Sequence, residues 1–364
     1  MFTFMIILFI LGYILIALEH PIKVNKSATA LLLGVVLWVC IMIAGEGLLT
    51  NPSELREFMM HNPGSGFKDW IMNFKIVEIL GEISEILFFL LGAMTIVEIV
   101  DTQGGFKIIT DKIHATNKVK LLWIVSILTF FLSAVLDNLT TSIVMVALLR
   151  KLIAEKKDRW FFASMVIIAA NSGGAFSPIG DVTTIMLWIG GKVSSLNIIE
   201  MTFIASLMSL IVPLIILSFT LKGEVSRPQL NQLSSDETTE ENSWQSTLFL
   251  IVGVGALLFT PIFKTITHLP PFMGILGGLG ILWILSEIVH RKDSKEDRSK
   301  YSITNVLKRV DISTILFFLG ILTAVNALGT AGHLELLANS LDKIPIGEPG
   351  KYYIINMIIG IASS

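Results

Sequence analysis

The sequence contains few charged residues and a single cysteine. Asp, Glu, Lys and Arg make up 15% of the 364 residues, whereas soluble domains carry about a quarter. The lone Cys40 excludes a disulfide framework within the chain. The sequence has no nucleotide-phosphate loop, nucleophile elbow, zinc motif or basic stretch interleaved with aromatic residues. We therefore expect neither an enzyme nor an ATP-driven pump, and neither a cofactor, a nucleotide nor a nucleic acid as a partner.

Apolar runs dominate the remainder of the chain. Hydrophobic residues account for 53% of the sequence and the mean hydropathy is +0.75. This composition predicts an all-α polytopic membrane protein, since about 20 apolar residues suffice to cross a bilayer as a helix. Its spans and half-spans are predicted at residues 2–18, 28–44, 84–100, 119–136, 138–149, 160–170, 182–191, 200–221, 245–262, 272–290 and 313–329, with a last one beginning near Tyr352.

A first polar cluster interrupts the apolar sequence between Leu121 and Leu149. It contains the carboxylate of Asp137, and a charge near the bilayer midplane costs roughly 2.5 to 3.5 kcal/mol on insertion scales. Such a group is retained when it binds or moves an ion, or when a partner inside the bundle satisfies it; a capping role at a helix break is the alternative. The cluster's candidate ion or proton ligands are Ser133, Asp137, Asn138, Thr140 and Thr141.

A second polar cluster extends from Asn171 to Thr184 and is also flanked by apolar runs. Its glycines permit unusual backbone dihedrals and its proline disrupts helical hydrogen bonds, so a broken helix is predicted. Freed carbonyls in such a break can coordinate a small cation; a purely structural kink is the alternative. The candidate ligands are Asn171, Ser177, Asp181, Thr183 and Thr184, and the candidate break residues are Gly173, Gly174, Pro178 and Gly180.

The distribution of lysine and arginine predicts the topology. Basic residues concentrate in 101–120, 150–159 and 290–309, and such segments favour the cytoplasmic side. If 119–149 crossed the membrane once, 101–120 and 150–159 would face opposite compartments. A re-entrant hairpin that turns at Asp137 and Asn138 places both in the cytoplasm, and we favour it.

An internal repeat relates the two halves of the chain. Residues 83–95 match 312–323 with one inserted residue, and the predicted topology gives the two copies opposite orientations. We predict a first repeat at 1–221, with scaffold spans in 1–100 and a transport part in 119–221. A cytoplasmic linker at 222–244 and a second repeat at 245–364 follow. The alignment pairs Ser133 with Ser363, so we expect the second Asp-Asn break about three residues beyond Ser364 and the second repeat to be truncated before its hairpin tip.

At these motifs the sequence resembles the NhaD-type sodium/proton antiporters of the ion transporter superfamily. The resemblance covers essentially the whole chain and rests on 133–142, on 171–184, and in support on 19–32, which contains Val24-Asn25-Lys26-Ser27-Ala28. It implies a homodimer in which a scaffold part carries a mobile transport part of two opposed hairpins and two broken helices. By motif match it also implies ion handling by Ser133, Asp137, Asn138, Asn171, Asp181, Thr183 and Thr184.

These observations predict a secondary transporter that exchanges Na⁺, and Li⁺ as well, for H⁺ in the bacterial inner membrane, in contact with membrane lipid. A buried carboxylate favours its protonated form and a bound cation favours the ionised form, so one site can hold either. Asp137 is the predicted competing site, with a sodium site at Asp137, Asn138 and Asn171. An anion transporter of the same superfamily, for dicarboxylate or arsenite, is the alternative; a channel and a structural or receptor-like membrane protein are the others.

Overall fold

The computed structural model describes residues 1–50, 52–110, 113–226, 243–294, 298–299, 301–343, 347 and 350–363. Over those ranges the chain is helical without named β-strands, and one isolated bridge joins Asn117 to Glu224. Seven helices are long and apolar enough to cross a membrane. The prediction of an all-α polytopic membrane protein is confirmed.

The helices follow the predicted apolar runs closely. In chain order they are α1 (Phe2–Ala17), α2 (Glu19–Ile22), α3 (Lys26–Ala44), α4 (Ser53–His61), α5 (Phe67–Trp70), α6 (Ile76–Thr102), α7 (Gly105–Thr110), α8 (Lys118–Leu136), α9 (Asn138–Leu152), α10 (Lys156–Ala175), α11 (Val182–Ile189), α12 (Ser195–Thr220), α13 (Ser243–Thr267), α14 (Pro271–Val289), α15 (Ile303–Leu307), α16 (Ile312–Thr330), α17 (His333–Asp342) and α18 (Gly350–Ser363).

One helix is much longer than its apolar run. Helix α6 begins at Ile76 and not near residue 84, and a π-helical turn at Ile71–Lys75 joins it to α5. Its first turns carry acidic residues, and Lys75 bonds to Glu54 at 2.7 Å and to Glu78 at 2.9 Å. Hydropathy alone missed this extension because it is polar, and in the structure Glu78 is satisfied by its ion pair with Lys75.

The chain divides into two compact units. The first unit comprises Met1–Ile83 and Ile312–Ser364, and the second comprises Ser84–Asp311. The first unit therefore joins the two ends of the sequence, and neither unit has the bounds of a predicted repeat. The inverted repeat remains a prediction.

Within the first unit, α3 packs closely along α16. A Cβ on Gly34 would lie 2.9 Å from the carbonyl oxygen of Gly320, so the absent side chains allow the two backbones to approach. Polar contacts cross the same interface, because Ser27 donates to the carbonyl of Ser313 at 2.6 Å and the Trp38 indole donates to Thr323 at 3.1 Å. Small residues and hydrogen bonds of this kind hold helices together where lipid removes the hydrophobic driving force.

Within the second unit, α8 and α9 fold back on each other as the predicted hairpin. The start of α8 and the end of α9 share one apolar cluster, which includes Leu121, Leu149 and Phe162. Residues 223–226 bond to both ends of the hairpin: Val225 donates to Thr116 and the amide of Ala154 donates to Ser226, each at 2.8 Å. The segments on the two sides of 119–149 therefore lie at the same end of the unit, as the predicted hairpin requires. The re-entry of this hairpin into the membrane from the cytoplasm stays a prediction.

Part of the predicted linker 222–244 is thus an ordered segment. Residues 222–226 join the hairpin ends and α13 begins at Ser243. Residues 227–242 lie outside the described residues, as does Ser364.

Candidate ion-binding site

The first helix break is a single residue, Asp137, between α8 and α9. Its backbone has φ 96° and ψ 155°, a conformation that is essentially restricted to glycine and is strained for any other residue. One carboxylate oxygen accepts from the Thr140 amide at 2.8 Å and the other from the Thr140 hydroxyl at 2.7 Å. Asp137 therefore caps α9, and the capping and ion-binding interpretations apply to the same side chain.

The second helix break lies between Ala175 and Val182, later than the sequence predicted. Gly173 and Gly174 belong to helix α10, so their assignment as backbone-break residues is wrong, whereas Pro178 and Gly180 do lie in the break. A Cβ on Gly173 would overlap the carbonyl oxygen of Phe130. Glycine is required at these two positions because the backbones of α8 and of the break pass directly against α10.

The two breaks are packed against each other. A Cβ on Gly180 would lie 2.6 Å from the carbonyl oxygen of Ser133. The buried hydroxyl of Ser133 donates to Ala170 at 2.6 Å, and that of Ser177 donates to Ala134 at 2.5 Å. These two serines, predicted as ligands, thus connect the end of α8 to the second broken helix.

Asn138 joins the polar side chains of the two breaks. Its Nδ2 atom donates to Asp181 at 2.6 Å and to the side-chain oxygen of Asn171 at 3.0 Å. An ionised carboxylate only accepts hydrogen bonds, which fixes the orientation of the Asn138 amide. The structure thereby brings Asn138, Asn171 and Asp181 together, three of the residues that the sequence analysis named as candidate ligands.

Asp181 repeats at α11 the role that Asp137 has at α9. One of its oxygens accepts from the Thr183 amide at 2.8 Å and from the Thr183 hydroxyl at 2.6 Å. Both carboxylates thus lie at helix N-termini, where unpaired amides carry partial positive charge. Neither forms an ion pair with a basic side chain in the described part of the chain.

The predicted hydroxyl ligands differ in their availability. The hydroxyl of Thr184 donates to the carbonyl of Ser177 at 2.8 Å, so that freed carbonyl is already bound. The Thr141 hydroxyl is fully buried at the start of α9 and has no hydrogen-bond partner among the described residues. A buried hydroxyl without a partner carries a desolvation cost, which an ion or water beside it would remove.

This donor set fits a small hard cation exchanging with a proton. It offers two carboxylates, two amide oxygens and several hydroxyls, and oxygen ligands of these types suit alkali and other hard cations. No group of three or more His, Cys, Asp or Glu side chains suited to a bound metal occurs among the residues described. Of the predicted sodium ligands, Asn138 and Asn171 are in contact, whereas both Asp137 oxygens bond to Thr140.

Sequence reasoning missed the segment that closes the hairpin, residues 223–226. The only sequence signal was a glycine at 223, which fits the φ of 90° that the structure shows there. The polar residues that follow it resemble a linker. It also missed the backbones of Phe130 and Ala170, since contacts made through main-chain oxygens leave no residue-type pattern.

Comparison with known proteins identifies the family. A family model described as a citrate transporter matches residues 13–364. Sodium/proton antiporter 2 of Arabidopsis thaliana is 42% identical over 361 residues, and Na(+)/H(+) antiporter NhaD of Vibrio cholerae is 29% identical over 389 residues. Each alignment covers 99% of this chain. The chain belongs to the family that this model describes, and its relatives include NhaD-type sodium/proton antiporters. The predicted resemblance to the NhaD-type antiporters is confirmed, and the chain is a multi-pass membrane protein.

The relatives differ in how much of their own length the match spans. The chain covers 79% of Sodium/proton antiporter 2 and 74% of the Vibrio cholerae NhaD antiporter. Sodium/proton antiporter 1 of Arabidopsis thaliana is 43% identical over 363 residues, and the chain spans 57% of that relative.

Proposed function

We propose that this protein exchanges Na⁺, and Li⁺ as well, for H⁺, with Asp137 as the site that holds either the proton or the cation. The observation that carries the proposal is the junction of two helix breaks in which Asn138 links Asn171 and Asp181 beside Asp137. The names of the NhaD-type relatives support the same activity.

The mechanism follows from competition at one buried carboxylate. When a proton occupies Asp137, the group is neutral and its presence at membrane depth costs little. When a cation replaces the proton, the ionised carboxylate is compensated by the bound charge. To bind a cation, Asp137 would exchange its bonds to Thr140 for contacts with the ion. Asp181 supports the site through Asn138.

An anion substrate is the second candidate, since the matching family model is described as a citrate transporter. An anion of this type requires a basic or strongly donor-rich site. Neither break contains Arg or Lys, and both contain Asp. This composition favours the cation.

The resemblance to the antiporters also bears on the oligomeric state and location of the protein. We propose that it has no enzymatic activity and no resident cofactor, and that it works as a homodimer surrounded by membrane lipid. We also propose a bacterial inner membrane as its location. The bacterial NhaD relatives support a bacterial membrane, whereas other relatives come from the plant Arabidopsis thaliana, and membrane fractionation tests the location.

Everted membrane vesicles test the exchange directly. The complete reading frame that contains this chain is expressed with Asp137 intact or changed to Asn, which preserves a cap for α9. Addition of NaCl or LiCl should dissipate a preformed pH gradient with the native protein and not with Asp137→Asn. The control Glu200→Gln removes an exposed acid of α12 and should leave exchange intact. Near-normal exchange by Asp137→Asn contradicts the proposal. Citrate-dependent and cation-independent proton movement would favour the anion.

A further inference from the structure

A groove of about 660 Å³ lies between α9 and α10, near the end of the second unit where the two ends of the hairpin meet. Each helix contributes one face. Helix α9 presents Val146, Leu149 and Arg150, and α10 presents residues spaced three and four apart, the spacing of one helical face. The α10 residues are Lys156, Arg159, Trp160, Ala163 and Ile167.

One end of the groove is cationic. Arg150, Lys156 and Arg159 lie there, and none of the three forms an ion pair within the described residues. The acids nearest in sequence do not pair with them: Asp158 pairs with Lys118 at 2.7 Å, and Glu155 forms no ion pair within the described residues. Helix α10 also begins in this region without a side-chain cap, so its first amides add partial positive charge.

The other end of the groove is apolar. Val146, Ala163 and Ile167 line it, and Leu149 forms its floor with 1% exposure. Trp160 stands between the two ends and is 69% exposed. An exposed tryptophan at this level suits the boundary between lipid headgroups and acyl chains.

We propose that this groove binds an anionic phospholipid. The phosphate lies between Arg150, Lys156 and Arg159, and one acyl chain lies along Val146, Ala163 and Ile167. Charge complementarity selects an anionic headgroup, because in a zwitterionic headgroup the cationic group offsets the attraction between the phosphate and the three cations. The apolar end of the groove favours a lipid, because a free anion would leave that end of the groove empty.

The position of the groove agrees with the predicted topology. The distribution of basic residues places 150–159 in the cytoplasm, and anionic lipids of the cytoplasmic leaflet attract basic segments at membrane boundaries. Because α9 carries Arg150 near one end and the Asp137–Asn138 break at the other, a bound lipid holds the hairpin that contains the candidate ion site.

Native mass spectrometry tests the selectivity of the groove. The full protein in a neutral maltoside detergent is given equal amounts of phosphatidylglycerol and phosphatidylcholine. Phosphatidylglycerol should be retained about tenfold more strongly, given the attraction each basic residue contributes. The triple variant Arg150→Gln, Lys156→Gln, Arg159→Gln should lose this preference. The charge-matched control Lys222→Gln, Arg291→Gln, Lys292→Gln, at exposed sites outside the groove, should keep it. Equal retention of the two lipids by the native protein, or an unchanged preference in the groove variant, overturns the proposal.

Fluorescence quenching tests whether the ligand of the groove is a lipid or a free anion. Phosphatidylglycerol brominated in its acyl chains should quench more tryptophan emission than brominated phosphatidylcholine, and Trp160→Phe should remove the difference. Inorganic phosphate at the same concentration should not displace the brominated lipid. Full displacement by phosphate would mean that the groove holds a soluble anion, and quenching unchanged by Trp160→Phe would place the lipid elsewhere. Either result overturns the proposal.

Discussion

The side-chain amide of Asn138 lies 2.6 Å from a carboxylate oxygen of Asp181, 43 positions later in the chain. This bond links the residue that follows the first helix break to the residue that ends the second. Since both aspartates also cap helices, through Thr140 and Thr183, a change at either break is transmitted to the other. The candidate site is therefore one connected polar network and not two independent breaks.

Removing Asn138 and Asp181 together should be less damaging than the sum of the separate changes. A hydrogen bond to a charged group contributes about 1.5 to 3 kcal/mol. Asn138→Leu removes this bond, and Asp181→Asn keeps an acceptor but removes the charge that strengthens the bond. The midpoint of thermal unfolding in detergent should fall in both, and the double variant should be no less stable than the weaker single variant. Combining Asn138→Leu with Glu200→Gln serves as the control and should give additive shifts. Additive shifts for the Asn138 and Asp181 pair would contradict the coupling.

The sequence predicted the helices well, because long apolar runs leave little freedom in their bounds. It also located the first break at Asp137 and named Asn138, Asn171 and Asp181 among the candidate ligands, but the contact between Asn138 and Asp181 was not predicted. It placed the second break too early, since glycine serves both for unusual dihedrals and for close approach, and only the path of Phe130 past Gly173 distinguishes the two uses. The pairing of 223–226 with the hairpin ends was beyond prediction, because backbone hydrogen bonds over long sequence separation leave no trace in residue types.

Adding a methyl group at Gly173 should disrupt the packing of the two breaks. In Gly173→Ala the new Cβ overlaps the main-chain oxygen of Phe130, so a backbone must move, and overpacking of this kind costs typically about 1 to 3 kcal/mol. Thermal stability and exchange activity should both fall. Gly280→Ala is the matched control, since Gly280 lies within α14 and has nothing within 4 Å of its would-be Cβ; alanine should be neutral or stabilising there. Equal behaviour of the two variants would mean that α8 and α10 are not in close contact.

Single cysteines placed at the two ends of the hairpin should be labelled from the same side of the membrane. Thr116 and Glu155 are exposed and flank the hairpin, whereas Lys192 precedes the start of α12, whose other end leads to 223–226. In a background where the buried Cys40 is replaced by Ala, Thr116→Cys and Glu155→Cys should react with a membrane-impermeant maleimide in everted vesicles. Lys192→Cys should react only from the opposite side. Labelling of 116 and 155 from opposite sides would mean that 119–149 crosses the membrane once.

The buried His333 should make the protein sensitive to mild acid. Its ring lies against Phe2 with centroids 3.6 Å apart, and neither ring nitrogen has a hydrogen-bond partner among the described residues. Burial lowers the pKa of His333 below its ordinary value of 6.5. The unfolded chain therefore binds the proton more readily than the folded protein does, so this contribution to stability is present above about pH 6.5 and is lost as the pH falls through that value. The midpoint of thermal unfolding should drop between pH 8 and pH 5.5 in the native protein and drop less in His333→Phe, which retains the aromatic contact but cannot be protonated. An identical drop in both proteins would assign the acid sensitivity to other groups.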